Sequence, residues 1–317
     1  MKRVTIYYAA DIHGSERCWR KFLNAPRFYG ADVLILGGDV TGKVLVPLVR
    51  RDGGWVGRVL GEVRRAETRE ELDELERVLR VNGLYPYVCD QDEYERLEAD
   101  HAYMRSVFSE QMRAGLRRWI ELADERLSGT GVECYVMPGN DDEFGVEDVI
   151  GTSETVTNPE GRVVEIAGGS IEMVSCGWAN PTPWNSPREC PDEELGRKIA
   201  AMLGDLSGSR PAVFNLHVPP RASGLDWAPL LTDDLRPVQA GGEIQMVPVG
   251  SESVHEALLR WQPLLGLHGH IHESRGSARI GRTLSLNPGS RYGEGVLDGA
   301  LVTIAGGTVK SYQLVSG

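Results

Sequence analysis

Short apolar runs recur along the chain, and most of them stop at a glycine, a proline or a charged residue. Residues 4–10, 31–36, 132–137 and 212–216, and the run Leu264-Leu265-Gly266-Leu267, are short and apolar, with β-branched or aromatic residues in most of them. They predict buried strands. Residues 15–25 set Trp19, Phe22 and Leu23 at helical spacing between the first two runs. That strand–helix–strand order predicts a parallel pair. Strand pairs are predicted over 161–176, with arms 162–166 and 170–176 around Gly168-Gly169, over 276–286, and over 301–304 and 308–314 around Gly306-Gly307. Helices are predicted over 192–205 and 253–261. Residues 177–185 are too rich in proline for a helix or a central strand, and 225–250 has little pattern and reads as loop.

Residues 43–130 leave this rhythm. Residues 43–49 and 55–63 flank Arg50-Arg51-Asp52-Gly53-Gly54 like the arms of a hairpin. Thr68 with Glu71 reads as a capping box that opens a helix, which stops at Asn82-Gly83. A longer helical stretch, 91–127, follows. The segment reads as a hairpin-plus-helix insertion, a cap over one end of a single domain spanning 1–317. Its charge runs read as solvated helix faces. Tyr85, Tyr87 and Tyr94 either line a pocket or pack.

Composition narrows the partners. The chain has 317 residues, 41% of them hydrophobic, and a net charge of -12. The acidic balance argues against a general nucleic-acid binder or a partner of anionic membranes. Cys18, Cys89, Cys134, Cys176 and Cys190 are scattered and odd in number, as expected of reduced thiols in a cytoplasmic protein. The N-terminal apolar run is too short for a signal peptide, and no run approaches the roughly 20 residues of a membrane span. Oligomeric state is left open.

Chemistry gathers where the strands end. The stretch 264–272 carries His268, His270 and His272, three of the seven histidines in the chain. If extended, it points His270 and His272 to one side. Neutral imidazole is the commonest protein metal ligand, so the stretch proposes a metal site. Other strand ends supply the rest: Asp11-Ile12-His13, Gly38-Asp39, Gly139-Asn140-Asp141-Asp142-Glu143 and His217-Val218-Pro219. Sites in α/β sheets lie beyond the carboxyl ends of strands. Consecutive acidic residues repel unless a cation is near, although Asp142 and Glu143 could face solvent. His268 is either a proton shuttle or a packed histidine. His101 and His255 read as surface residues on helices. Trp178 and Trp184 either wall a pocket or pack their loop, and Arg221 and Arg291, which follow site loops, either contact a bound ligand or lie on the surface.

Taken together, Asp-x-His, Gly-Asp, Gly-Asn, His and Gly-His-x-His, in this order, resemble the calcineurin-like metallophosphoesterase superfamily. The resemblance covers nearly the whole chain outside 43–130. It implies a four-layer α/β/β/α sandwich of two mixed sheets. It also implies two divalent transition-metal ions: Asp11, His13 and His272 hold one, Asn140, His217 and His270 hold the other, and Asp39 bridges. Mixed imidazole and carboxylate donors suit Mn, Fe, Zn, Co or Ni, and Mn is the ion of choice for assay. The implied activity is hydrolysis of a small phosphate ester by a metal-bridging hydroxide, with Asp39, Asn140, Asp141 and His217 nearest the chemistry. One position departs: the family has a histidine after the Gly-Asn pair, and Asp141 stands there. An ionised carboxylate is a poor general acid near pH 7. That tilts the expectation to a phosphodiesterase, ahead of a phosphomonoesterase (a nucleotide or protein phosphatase) and of a weakly catalytic binding scaffold. Asp142 would keep the place of the family's loop-orienting acid.

Overall fold

The computed structural model describes residues 2–59 and 61–317. Met1, and Leu60 in the expected second hairpin arm, lie outside them. β1 (Val4–Ala9), α1 (Glu16–Tyr29) and β2 (Val33–Gly37) form the expected parallel unit, with Trp19, Phe22 and Leu23 buried under the helix. Next come β3 (Val44–Arg51), β4 (Gly54–Val59), β5 (Glu62–Ala66), α2 (Arg69–Val81) and β6 (Leu84–Cys89). α3 (Gln91–Ala99) and α4 (His101–Leu127) lead to β7 (Glu133–Met137), α5 (Val146–Ile150), β8 (Val156–Thr157), β9 (Val163–Ile166) and β10 (Ile171–Cys176). α6 (Asp192–Leu203) and β11 (Ala212–Leu216) follow. Residues 225–250, expected to be loop, hold two small ribbons: β12 (Trp227–Pro229) with β15 (Met246–Pro248), and β13 (Gln239–Ala240) with β14 (Glu243–Ile244). Strands of two or three residues leave no periodicity to read. The chain closes with α7 (Glu252–Trp261), β16 (Leu265–Leu267), β17 (Gly276–Ile280), β18 (Thr283–Asn287), β19 (Asp298–Ala305) and β20 (Thr308–Ser316).

Two six-stranded mixed sheets carry the body of the protein. The first runs β20-β19-β1-β2-β7-β8, the second β17-β18-β16-β11-β10-β9. β1, β2, β7 and β8 are mutually parallel, and so are β10, β11, β16 and β18. Ile6, Tyr8 and Ile35 of the first sheet share one apolar cluster with Met173, Val213, Leu265 and Leu286 of the second. On the first sheet's other face, Tyr7, Leu34, Leu36 and Val136 pack with Trp19, Phe22, Leu116 and Trp119 of α1 and α4. On the second sheet's other face, Val174, Phe214 and Leu216 meet Leu195 and Ile199 of α6 and Leu258 of α7. Strands buried on both faces read as continuous apolar runs, which is why the pattern found them.

The segment 43–130 differs from the reading. The expected hairpin is present as β3 and β4, and β5 and β6 extend it to a four-stranded sheet, β5-β4-β3-β6, in which β6 pairs parallel to β3. The arm expected over 55–63 is β4 and the start of β5. The helix expected over 91–127 is two, because the Asp100 carboxylate accepts the Ala102 and Tyr103 N–H groups (2.9 and 3.0 Å) and starts a new helix. α4 belongs to the main core. Its Trp119 ring stacks on Trp19 at 5.4 Å and 8°, and Trp19 Nε1 donates to the Trp119 carbonyl at 3.1 Å. Truncating a tryptophan packed this way costs about 3–5 kcal/mol.

Candidate metal centre

Five strand ends converge. β1, β2 and β7 of one sheet and β11 and β16 of the other run into loops that place Asp11, His13, Asp39, Asn140, His217, His270 and His272 together. Six of these donors form two groups able to hold an ion, Asp11–His13–His272 and Asp39–His217–His270, and a third group is His13–Asp39–Asp141. Asn140 joins by its amide oxygen, 3.1 Å from His217 Nε2 and 2.8 Å from His270 Nδ1. Its Nδ2 donates to Ser186 Oγ (3.1 Å) and Asp141 Oδ1 (3.2 Å), which turns the oxygen toward the imidazoles. Asp39 lies between the groups, Oδ1 3.5 Å from His217 Nε2 and Oδ2 3.6 Å from His13 Nε2.

Backbone strain accompanies the convergence. Of ten non-glycine residues at positive φ among the described residues, four are Asp11 (56°), His13 (38°), Asp39 (51°) and His270 (66°). Such conformations cost about 1–3 kcal/mol each and persist where the surroundings impose them. They also correct the extended reading of 264–272. The strand ends at Leu267, and His270 turns left-handed, so alternation is not what aims His270 and His272. Gly139 is needed for space, since a Cβ there would overlap the Asp39 carboxylate.

The electrostatics call for positive charge. Asp11 and Asp39 are 1% and 2% exposed. Burial, with Asp141 and Asp11 nearby, lifts the Asp39 carboxyl to about 6 against the pull of His217. Burial alone would lower the His217 imidazole, but Asp39 and Asp11 outweigh it and raise it to about 10. Burial and then His217 push His270 down to about 3. His217 Nδ1 is 2.8 Å from the Gly37 carbonyl, which leaves Nε2 facing the carboxylates. Buried carboxylates and imidazole nitrogens converging on shared points are a donor set that fits divalent transition-metal ions.

Other expectations separate here. Asp142 does not face solvent. It is fully buried and accepts from Val40 N (3.0 Å), Thr41 N (2.8 Å), Thr41 Oγ1 (2.5 Å) and Gly139 N (2.7 Å), tying the Asn140 loop to the Asp39 loop. Glu143 accepts from Ser109 Oγ at 2.5 Å. Asp141 does face the ligands, and its backbone N–H donates to Asp39 Oδ1 at 3.0 Å. Its carboxyl is held at about 2: burial would raise it, and the Lys43 ammonium and Ser186 hydroxyl outweigh that. His268 packs behind, Nδ1 2.8 Å from the Leu216 carbonyl, and takes no part in the three groups. His255, on α7, is half-buried, with Nδ1 2.7 Å from the Arg221 carbonyl. Arg221 and Arg291 pair with Glu252 and Asp298. Trp178 packs on Lys198, and Trp184 is exposed. Tyr85 packs, and its hydroxyl accepts the Gly42 N–H at 2.8 Å.

The sequence reading missed Lys43, Ser186, Arg188 and Tyr292. Lys43 pairs with Asp141. The Tyr292 ring lies 4.6 Å from that of His13. Buried Arg188 donates to the Asp142 and Glu143 carbonyls, both at 3.0 Å, and clamps the Asn140 loop. Only Lys43 had a local signal, a basic residue directly after the Asp39 turn.

No family model matches the chain. Over 160 residues, 50% of this chain, it is 28% identical to an uncharacterised protein of Methanocaldococcus jannaschii, and the match spans 64% of that relative's length. A crystal structure that aligns over 98% of this chain and 99% of its own, at 13% identity, has a TM-score of 0.55 and shares the fold. Another alignment, to a conserved uncharacterised protein from Streptococcus pneumoniae TIGR4 described as a predicted phosphoesterase, covers 100% and 99% of the two chains at 13% identity and a TM-score of 0.32. In the order of its motifs, and in where their side chains meet, the chain resembles the calcineurin-like metallophosphoesterase superfamily. Among the described residues, no helix is long and apolar enough to cross a membrane.

Proposed function

We propose that this chain is a two-metal phosphoesterase that favours phosphodiesters. The observation that supports it most is Asp39, whose two oxygens face two different ligand groups, as a bridging carboxylate must. In this reading Asp11, His13 and His272 hold one ion and Asn140, His217 and His270 the other. Bound divalent cations would supply the charge that clamps a phosphoryl group and lowers the pKa of an attacking water. The chain's own residues set the geometry. His270 N–H donates to both Asp11 oxygens at 3.0 Å and fixes that carboxylate. Asp142 and Arg188 hold the Asn140 loop against Asp39. Asp141 is ionised and paired, so it does not protonate a leaving group, and this favours substrates that leave without such help.

The test is hydrolysis of bis-p-nitrophenyl phosphate beside p-nitrophenyl phosphate by Mn²⁺-loaded protein, with Asp39→Asn as the blank. Diester turnover at least tenfold above monoester turnover, lost in the variant, is expected. Monoester preference would make the chain a phosphomonoesterase. Metal bound without turnover on either would make it a scaffold.

A further inference from the structure

Lys43 stands at the mouth of the metal centre, at the start of β3. Its side chain is 49% exposed, and its ammonium pairs with Asp141 Oδ2. The other Asp141 oxygen accepts from Ser186 Oγ (2.6 Å) and Asn140 Nδ2 (3.2 Å), so the carboxylate is fixed from both sides. An ammonium has three donors. Among the described residues, Asp141 is the one carboxylate that Lys43 pairs with, and two N–H groups stay free. Its neighbourhood is the ligand set itself: the Lys43 charge depresses His13, after burial, and is felt by Tyr292, while Asp141 and Asp39 stabilise its protonated form.

The surrounding backbone fixes Lys43 there. Gly42 N–H donates to the Tyr85 hydroxyl on β6, at 2.8 Å. Gly14, Gly42 and Gly83 meet backbone to backbone, and a Cβ on Gly42 or Gly83 would overlap the Gly83 or the His13 carbonyl. The four-stranded sheet is thereby joined to the loop that carries His13, and Lys43, directly before β3, meets Asp141.

We propose that Lys43, oriented by Asp141 and Ser186, contacts a phosphoryl oxygen of the substrate at the metal centre. The proposal rests on the phosphoesterase reading and assigns a substrate contact to the position where the family's histidine is absent. The ligand class is a phosphoryl anion, and the probe is inorganic phosphate. The contact uses the fixed charge and free donors of the ammonium, and no proton transfer is involved.

Mn²⁺-loaded protein is titrated calorimetrically with inorganic phosphate, with metal content read by mass spectrometry. Lys43→Met should weaken phosphate binding at least tenfold with metal content unchanged. Lys43→Arg should stay within about threefold of the parent. On bis-p-nitrophenyl phosphate, Lys43→Met should raise KM more than it lowers kcat. Phosphate binding unchanged in Lys43→Met, loss of metal in that variant, or no phosphate binding by the parent would each overturn the proposal. If Lys43→Met does not fold, Lys43→Gln is read the same way. Lys43-dependent phosphate binding without ester turnover would remove the phosphoesterase reading and keep the contact. Unaltered turnover in Lys43→Met would do the reverse.

Discussion

Asp298 shows how one carboxylate can fasten distant segments. It is 3% exposed and accepts from Arg291 Nε (2.9 Å) and an Arg291 terminal nitrogen (2.7 Å), from Arg275 (3.2 Å) and from Ser316 Oγ (2.6 Å). Burial would raise its pKa, but the hydrogen bonds and charges of Arg291, Ser316 and Arg275 bring it below the usual value. A folded-state pKa below the unfolded one adds stability above the unfolded pKa, about 3.9, and loses it as pH falls through the folded value. Asp298→Asn should therefore lower stability by about 1 kcal/mol at pH 7. The difference from the parent should shrink as denaturation is followed from pH 5 toward pH 2. A constant difference across that range would refute the assignment. At this scale the candidate donors that converge were legible: Asp11, His13, Asp39, Asn140, His217, His270 and His272 are named by their motifs. Ser186, Arg188 and Tyr292 were not, because each matters only through a neighbour far along the chain, and Lys43 left only its place after the Asp39 turn as a signal.

Elements show where local pattern stops informing. The strands of the two large sheets were readable because burial on both faces makes them continuously apolar. The sheet within 43–130 was not, because parallel pairing of β3 with β6 leaves no short-range mark. Its junction with the His13 loop depends on glycines whose reason is space. Gly83 has φ +79°, and a side chain would overlap the His13 carbonyl. Gly83→Ala should cost about 1–3 kcal/mol in strain. It should also lower metal-dependent turnover at least tenfold, because His13 must shift. Denaturant melts beside Mn²⁺ titrations check both, and a variant with parental stability and turnover would show the contact to be slack. By contrast the Thr68 cap, Oγ1 3.2 Å from Glu71 N–H, was visible from spacing alone.

At the scale of the molecule, a chain of net charge -12 gathers Asp11, Asp39 and Asp141 at one place between its two large sheets. Cations that bind there and not to the unfolded chain stabilise the fold, by about 2.7 kcal/mol at a hundredfold excess over Kd. Chelation with EDTA should lower Tm by several degrees, re-addition of Mn²⁺ should restore it, and Asp39→Asn should lose most of that response. A Tm indifferent to chelation and reloading would argue against resident ions.

The sequence by itself determined the residue types at five strand ends, the order in which they occur, and most strands and helices of the two large sheets. These depend on hydrophobic period and on short motifs, which are local properties of the chain. Only the tertiary structure decided that Asp39 lies between two ligand groups, that Asp142 turns inward to backbone amides while Asp141 turns to the centre, and that Lys43 meets Asp141. Those outcomes depend on loops held at positive φ and on contacts between segments far apart in sequence. No window along the chain encodes such contacts, and they exist only once both sheets are packed.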